Sequence, residues 1–185
     1  MVAAVADHQI LASIQADHRI DDASLVPHIE ALLKEAGWSY PDLTNIACVV
    51  GPGGFTSLRV AVALANALSH ELKIPSCGIH LSDVYRARDR DREGDRVWFH
   101  STKKNELFIR ESEAEPRCIT VDDLKKTITK NIQWMGELIP EHRKIVDDVG
   151  AAEAALVPLE EILPQFLKKQ TYKEQILQPW YGRGW

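Results

Sequence analysis

The chain has 185 residues, 45% of them hydrophobic and 26% charged, enough apolar material for one large domain or two small ones with a true core, which excludes disorder as the default state. A net charge of −5 and a pI ≈ 5.8 exclude a general basic field for a polyphosphate backbone, so any RNA contact is local or carried by a partner. Cys48, Cys77 and Cys118 are odd in number and far apart, with no C-x-x-C pair, so neither a disulfide framework nor a zinc site is expected and the thiols read as buried in a reducing compartment. The opening apolar run, Val2 to Ala6, is short, and no stretch of about 18 apolar residues follows; the expectation is a soluble, cytoplasmic protein with no membrane contact.

In chain order, Val2 to Ala6 and Gln9 to Gln15 are β-like runs flanking Asp7 and His8, which predicts a hairpin. Ser24 is placed to cap a helix from Leu25 to Ala36, with Leu25, Ile29, Leu32, Leu33 and Ala36 on one stripe, Pro27 in the tolerant first turn and Gly37 as the stop. Asn45 to Val50 is mostly apolar without clean alternation, as in a buried parallel strand, and it runs into the loop Gly51-Pro52-Gly53-Gly54.

The helix that follows, Thr56 to about Leu72, carries a surplus. Arg59, Asn66 and His70 form a polar stripe, while Leu58, Val60, Ala61, Leu64, Ala65, Ala67, Leu68 and Leu72 cover half the circumference or more. A surface helix needs an apolar arc of only about 100°. Two explanations remain open on wheel geometry: a helix buried inside one domain, or a helix that meets a second partner, with alanines allowing close backbone approach.

From Tyr85 to Arg96 arginines alternate with acids around Gly94, which predicts a solvated boundary with nearly cancelling charge. Beyond it, Arg96 to Ser101 and Glu106 to Arg110 predict a hairpin, Asp122 to Lys126 the start of a helix, Ile132 to Gly136 a strand and Pro158 to Lys169 a last helical segment. The expected domains are 1–88 and a smaller α/β unit, 96–185. The tail, with Trp180, Tyr181 and Trp185 beside Lys168, Lys169, Lys173 and Arg183, suits either packing on protein or local RNA stacking.

Gly51, Gly53, Gly54 and Thr56 lie between a strand and a helix, where N–H groups and a helix dipole can hold phosphate. The segment lacks the Lys-Ser/Thr ending of a P-loop and the G-x-G-x-x-G spacing of a dinucleotide fingerprint, so a tight structural turn is the competing explanation. The seven histidines contain no H-x-x-x-H pair for a shared metal, and no Ser-His-Asp constellation can be assigned from the sequence.

The stretch G-P-G-G-F-T-S-L-R-V-A-V-A-L-A-N-A-L closely resembles the G-P-G-S-F-T-G-L-R signature of the TsaB family. Upstream, S-L-V-P-H-I-E-A-L-L-K-E-A-G-W-S-Y-P-D-L-T-N-I-A resembles the family's helix, turn and strand. Downstream, I-P-S-C-G-I-H-L-S-D-V, R-V-W-F-H-S-T-K-K-N-E-L-F-I-R and P-Q-F-L-K-K resemble its next strand and helix, the hairpin that opens its second domain, and its C-terminal segment. The resemblance implies an α/β fold related to actin and sugar kinases, a ribonuclease-H-like lobe with a second, smaller α/β lobe. It also implies a non-catalytic subunit of tRNA threonylcarbamoyladenosine modification, without a cofactor, that associates with a TsaD-type transferase and a TsaE-type ATPase. The partner surface, toward TsaD or a second copy of the same chain, would then be Leu25, Ile29 and Leu32 of the first helix with Val60, Val62, Ala63, Leu64 and Ala67 of the second, and tRNA would be met only indirectly. Three departures stand out. The family opens with a strand like I-L-A-I-D-T-S, whereas this chain begins at a position matching the second strand; Asp21 replaces a histidine, and Ser57 a glycine. The alternative is a nucleotide-binding or phosphotransfer enzyme of the actin and sugar-kinase superfamily using Gly51 to Thr56.

Overall fold

The computed structural model describes residues 1–15, 24–89, 96–112, 114–130 and 132–182, and the chain divides into two units. The first comprises Met1–Gly51, Phe55–Ile79 and Leu159–Pro179; the second comprises Pro52–Gly54, His80–Pro158 and Trp180–Trp185.

In the first unit, β1 (Val2–Ala6) and β2 (Gln9–Ile14) form an antiparallel hairpin, turned at Asp7 with φ 46, a left-handed conformation that aspartate tolerates. The register shifts between Ala4 and Val5. α1 (Leu25–Glu35) lays Leu32 on Ala4 and Ala12, ringed by Val2, Ile14, Ala36 and Trp38. Gly37, at φ 74, supplies the left-handed stop just past it. Ser24 does not cap α1: its side chain makes no capping bond, and its carbonyl meets His28 Nδ1 at 2.5 Å. β3 (Ile46–Gly51) and β4 (Ser76–His80) make a separate two-stranded sheet, connected by α2 (Phe55–Leu72). The expectation of a fully buried β3 is corrected, because only Gly51 is buried and Ala47 and Val49 face outward.

The second unit is built on a five-stranded sheet of order β7-β6-β5-β8-β9. Its strands are β5 (Arg96–Lys103), β6 (Glu106–Glu111), β7 (Arg117–Thr120), β8 (Gln133–Glu137) and β9 (Ala152–Glu153); β5 pairs antiparallel with β6 and parallel with β8. One face holds Val97, Phe99, Leu107, Ile109, Ile119 and Trp134, with Leu124 of α4 (Val121–Thr127) and Val146 of α5 (Pro140–Val149) in the same cluster. The other face holds Trp98, Phe108 and Met135 with Tyr85 of α3 (Leu81–Arg88). Gly136 is pressed against the β5 backbone: at φ 129, a Cβ built on it would lie 1.8 Å from the Phe99 carbonyl oxygen.

The domains expected at 1–88 and 96–185 are not where the chain divides. α3 joins the second unit because Tyr85 is needed over Trp98, and α6 (Leu159–Lys168) with the segment after it returns to the first. The segment Tyr85 to Arg96 is also not a solvated boundary at its ends. Tyr85 is buried, and Asp89 and Arg96 form an ion pair with both side chains 8% exposed; residues 90–95 lie outside the described residues.

Candidate interaction surface

α2 is alanine-rich and uninterrupted, which favours a helix, and its inward positions recur at four, three and four residues: Leu58, Val62, Ala65 and Ser69 are buried. The Ser69 hydroxyl donates to the Ile74 carbonyl at 2.7 Å, and Lys73, at φ 54, makes the left-handed exit.

Outward, Phe55, Thr56, Arg59, Ala63, Ala67 and His70 are exposed, with Val60 and Leu64 half-buried between them. Phe55 is 56% exposed, high for a phenylalanine, and the Arg59 guanidinium lies over its ring at 5.3 Å. Phe55, Thr56, Arg59, Val60 and Ala63 line an open cavity of about 350 Å³.

This geometry separates residues that the expected partner surface had grouped. Val62 and Leu32, each 2% exposed, belong to the first unit's own interior and leave the expected interface set. Ala63 and Ala67 are outward, and Val60, Leu64, Leu25 and Ile29 are half-buried. On α1 the exposed large apolar residue is Val26. Asn66 is not part of a free polar stripe either. Its amide donates to the Leu177 carbonyl at 3.0 Å and accepts the Leu177 N–H at 2.8 Å, imitating a pair of backbone partners. Ser76 exchanges backbone bonds with Lys173 at 2.9 and 3.0 Å, so residues 173–177 form a strap whose Leu177 is buried beside Gly78 and Val50.

Of the loop residues, Gly51 is buried at φ 148, while Gly53, Gly54 and Thr56 are exposed. Among the described residues no three His, Cys, Asp or Glu side chains are grouped to hold a metal ion. The thiols are less uniform than expected: Cys77 is buried, Cys48 and Cys118 half-buried, and burial pushes the Cys48 thiol up to about 11, so it is a poor nucleophile.

Polar clusters in the second unit were not legible from the sequence. His80 Nδ1 accepts the Ser82 N–H at 3.2 Å and so caps α3, while Arg110 binds Ser82 Oγ at 2.7 Å and the Asp83 carboxylate. Tyr85 donates its hydroxyl to Glu137 at 2.6 Å. Ser101 Oγ lies 2.8 Å from His142 Nδ1, but His142 is 1% exposed and its Nε2 is 2.8 Å from the Lys104 carbonyl. That pair pins a turn to α5 and has no room for a substrate. In the tail, Trp180 packs edge-on to His80 at 4.4 Å and against Phe108 at 5.1 Å, which is protein packing; Arg183 and Trp185 lie outside the described residues.

The sequence model of the TsaD family, tRNA N6-adenosine threonylcarbamoyltransferase, matches residues 17–146. Among curated proteins, the tRNA threonylcarbamoyladenosine biosynthesis protein TsaB of Buchnera aphidicola (strain APS) is 25% identical over 115 residues, covering 61% of this chain and 46% of that protein. The tRNA N6-adenosine threonylcarbamoyltransferase of Bacillus subtilis (strain 168) is 35% identical over 71 residues, covering 38% of this chain and 20% of that protein. The matches thus span less than half the length of either relative. Among solved structures, a Pseudomonas aeruginosa protein described as similar to peptidase YeaZ superposes with a TM-score of 0.62 at 18% identity, covering 89% of this chain and 85% of that one. The fold is therefore α/β of the actin and sugar-kinase, ribonuclease-H-like type. No helix among the described residues is long and apolar enough to cross a membrane.

Proposed function

Because the chain belongs to the TsaD family and is TsaB/YeaZ-like within it, we propose that it serves tRNA threonylcarbamoyladenosine biosynthesis as a binding subunit without chemistry of its own, docking on a TsaD-type transferase. The outer row of α2 carries this reading: Phe55, Val60, Ala63, Leu64 and Ala67 are apolar, run along one uninterrupted helix and are left exposed or half-covered by their own unit. Apolar rows of this kind mark protein contacts, and two small residues one turn apart let another helix come close. Leu25, Val26 and Ile29 of α1 offer a second apolar patch of the same kind.

The test uses the chain co-expressed with a TsaD-type subunit, read by light scattering, with circular dichroism of each variant. Ala63→Glu and Ala67→Glu should abolish the complex and leave the monomer folded, because a bulky charge there holds the helices apart or is buried unpaired. Val62→Glu should unfold the chain by itself, since Val62 faces the interior. An intact complex with both outer glutamates would place the docking surface elsewhere. The isolated chain should show no nucleotide hydrolysis above background.

A further inference from the structure

We propose that the place filled by the Trp180 indole is the seat of a nucleobase, and that the segment from Trp180 to Gly182 is a lid that closes it. The inference goes beyond the docking of α2 and does not depend on it, since every residue concerned belongs to the second unit.

On one face of the five-stranded sheet Tyr85, Trp98, Phe108 and Met135 form a buried cluster, and Trp180 packs against it beside Leu81. The Trp180 ring meets His80 edge-on at 4.4 Å, with the planes at 88°, and lies tilted on Phe108 at 5.1 Å. A seat built of ring faces and aliphatic edges holds flat rings of many kinds. Its floor is fixed, because Trp98 and Phe108 are 0% and 3% exposed, whereas Trp180 is half-buried. Gly182 turns the chain back at φ 64, so close that a Cβ built there would collide with the Phe108 ring and with the Trp180 ring itself. The lid therefore closes only with glycine at this position.

Hydrogen bonding shows what the present occupant fails to supply. His80 Nδ1 accepts the Ser82 N–H at 3.2 Å, and burial lowers the His80 pKa to about 4, so at neutral pH the ring is uncharged and carries its proton on Nε2. That N–H is buried and meets no acceptor among the described residues. The Nε1–H of Trp98, whose ring lies 5.6 Å from that of His80, is in the same condition. Two unanswered donors in one aromatic cluster are an exception to the rule that buried polar groups are paired. An indole fits the space but cannot answer them, because its one polar group is itself a donor. A purine or pyrimidine presents a similar face and carries ring nitrogens or carbonyls as acceptors on its edge. A tryptophan or phenylalanine from a partner chain is the rival occupant, and it brings no acceptor either.

The experiment measures binding of adenosine, indole and a short single-stranded oligoadenylate to the full chain by calorimetry, for wild type, Gly182→Val and Trp180→Ala, with circular dichroism of each. Gly182→Val should expel the lid by collision and leave the seat intact, and Trp180→Ala removes the plug without adding bulk, so a misfolded first variant still leaves a test. Both should bind adenosine at least about tenfold more tightly than wild type, the factor expected when a lid open about a tenth of the time or less is removed. Oligoadenylate held more tightly than adenosine, with the gain lost at high salt, would assign the seat to an unpaired base of RNA; equal affinities would assign it to a free nucleoside. Ala63→Glu should bind adenosine like wild type, so this inference and the docking surface fail separately. The inference is overturned if neither opened variant gains affinity for adenosine, or if indole binds them as tightly as adenosine, which would give the seat to a protein side chain.

Discussion

β5 and α2 both carry apolar side chains on more than one face, and they solve the same problem differently. β5 buries neighbours on opposite faces, Trp98 and Phe99 both at 0% exposure, because α3 covers one side of the sheet while α4 and α5 cover the other. α2 buries one stripe and leaves Phe55, Ala63 and Ala67 outside. The surplus of apolar surface is used up inside the chain in one case and left over in the other. Composition alone cannot make that distinction; it depends on whether another element of the same unit reaches the second face.

The doubly covered strand should be the less forgiving of the two, and Gly136→Ala tests this with the largest effect. A methyl group there collides with the Phe99 carbonyl, which is backbone and cannot swing away, in a conformation that L residues rarely adopt. We expect a loss of at least about 3 kcal/mol in the second unit, read by urea unfolding through Trp98 and Trp134 fluorescence. A mild substitution on the outer face of α2, such as Ala67→Ser, should stay within about 0.5 kcal/mol. Equal costs at the two positions would end the comparison.

Much of the fold was legible because its signals are local. The β1–β2 hairpin, the stop of α1 at Gly37 and the strands from Arg96 and Glu106 follow from alternation and turn residues. α5 was missed although Pro140 at its start and Gly150 at φ 78 past its end are ordinary boundary residues, and β9, two residues long, has no periodicity to read. The candidate surface was legible only as a surplus. Val62 and Ala63 are adjacent and both apolar, so the wheel could not tell the buried residue from the exposed one until the position of the sheet was known. The roles of Asn66 and Ser76 depend on a strap a hundred residues further along the chain, to which no local pattern points.

That strap sharpens the comparison at the flank of α2, where the chain does supply a cover. Asn66→Ala removes both bonds to Leu177 and leaves a buried peptide group unsatisfied, which should cost roughly 1–3 kcal/mol. Amide exchange at Leu177 and cleavage after Lys173 should both accelerate, while the outer row of α2 is unchanged. Asn66→Asp keeps the acceptor for the Leu177 N–H but turns a second oxygen toward the Leu177 carbonyl, so it should loosen the strap nearly as much. Unaltered exchange in both variants would mean that Ser76 and the buried Leu177 side chain hold the strap without Asn66.

The smallest effect concerns α3, the element that gives β5 its second cover. His80 caps α3 only while Nδ1 is unprotonated and can accept the Ser82 N–H. Burial lowers the His80 pKa from 6.5 to about 4; the nearby Asp83 carboxylate opposes this, while Arg110 and the His100 ring add to it. An imidazole whose pKa is depressed in the folded state stabilises the fold above its unfolded value, and the contribution is lost as pH falls from about 6.5 toward 4. His100, lowered mainly by burial against the pull of Glu137, acts in the same direction, so His100→Gln is the control. The carboxylate of Asp123 is held below its ordinary range by the Thr120 hydroxyl and Lys126, and loses its contribution at more acid pH. A glutamine at position 80 can accept the Ser82 N–H without titrating, so His80→Gln should cost no more than about 1 kcal/mol at pH 7.5 and should flatten the decline in Tm between pH 6.5 and 4. Parallel declines in wild type and variant would show that the cap is not what couples this face of the sheet to pH, and that Tyr85 and Trp98 hold α3 in place without it.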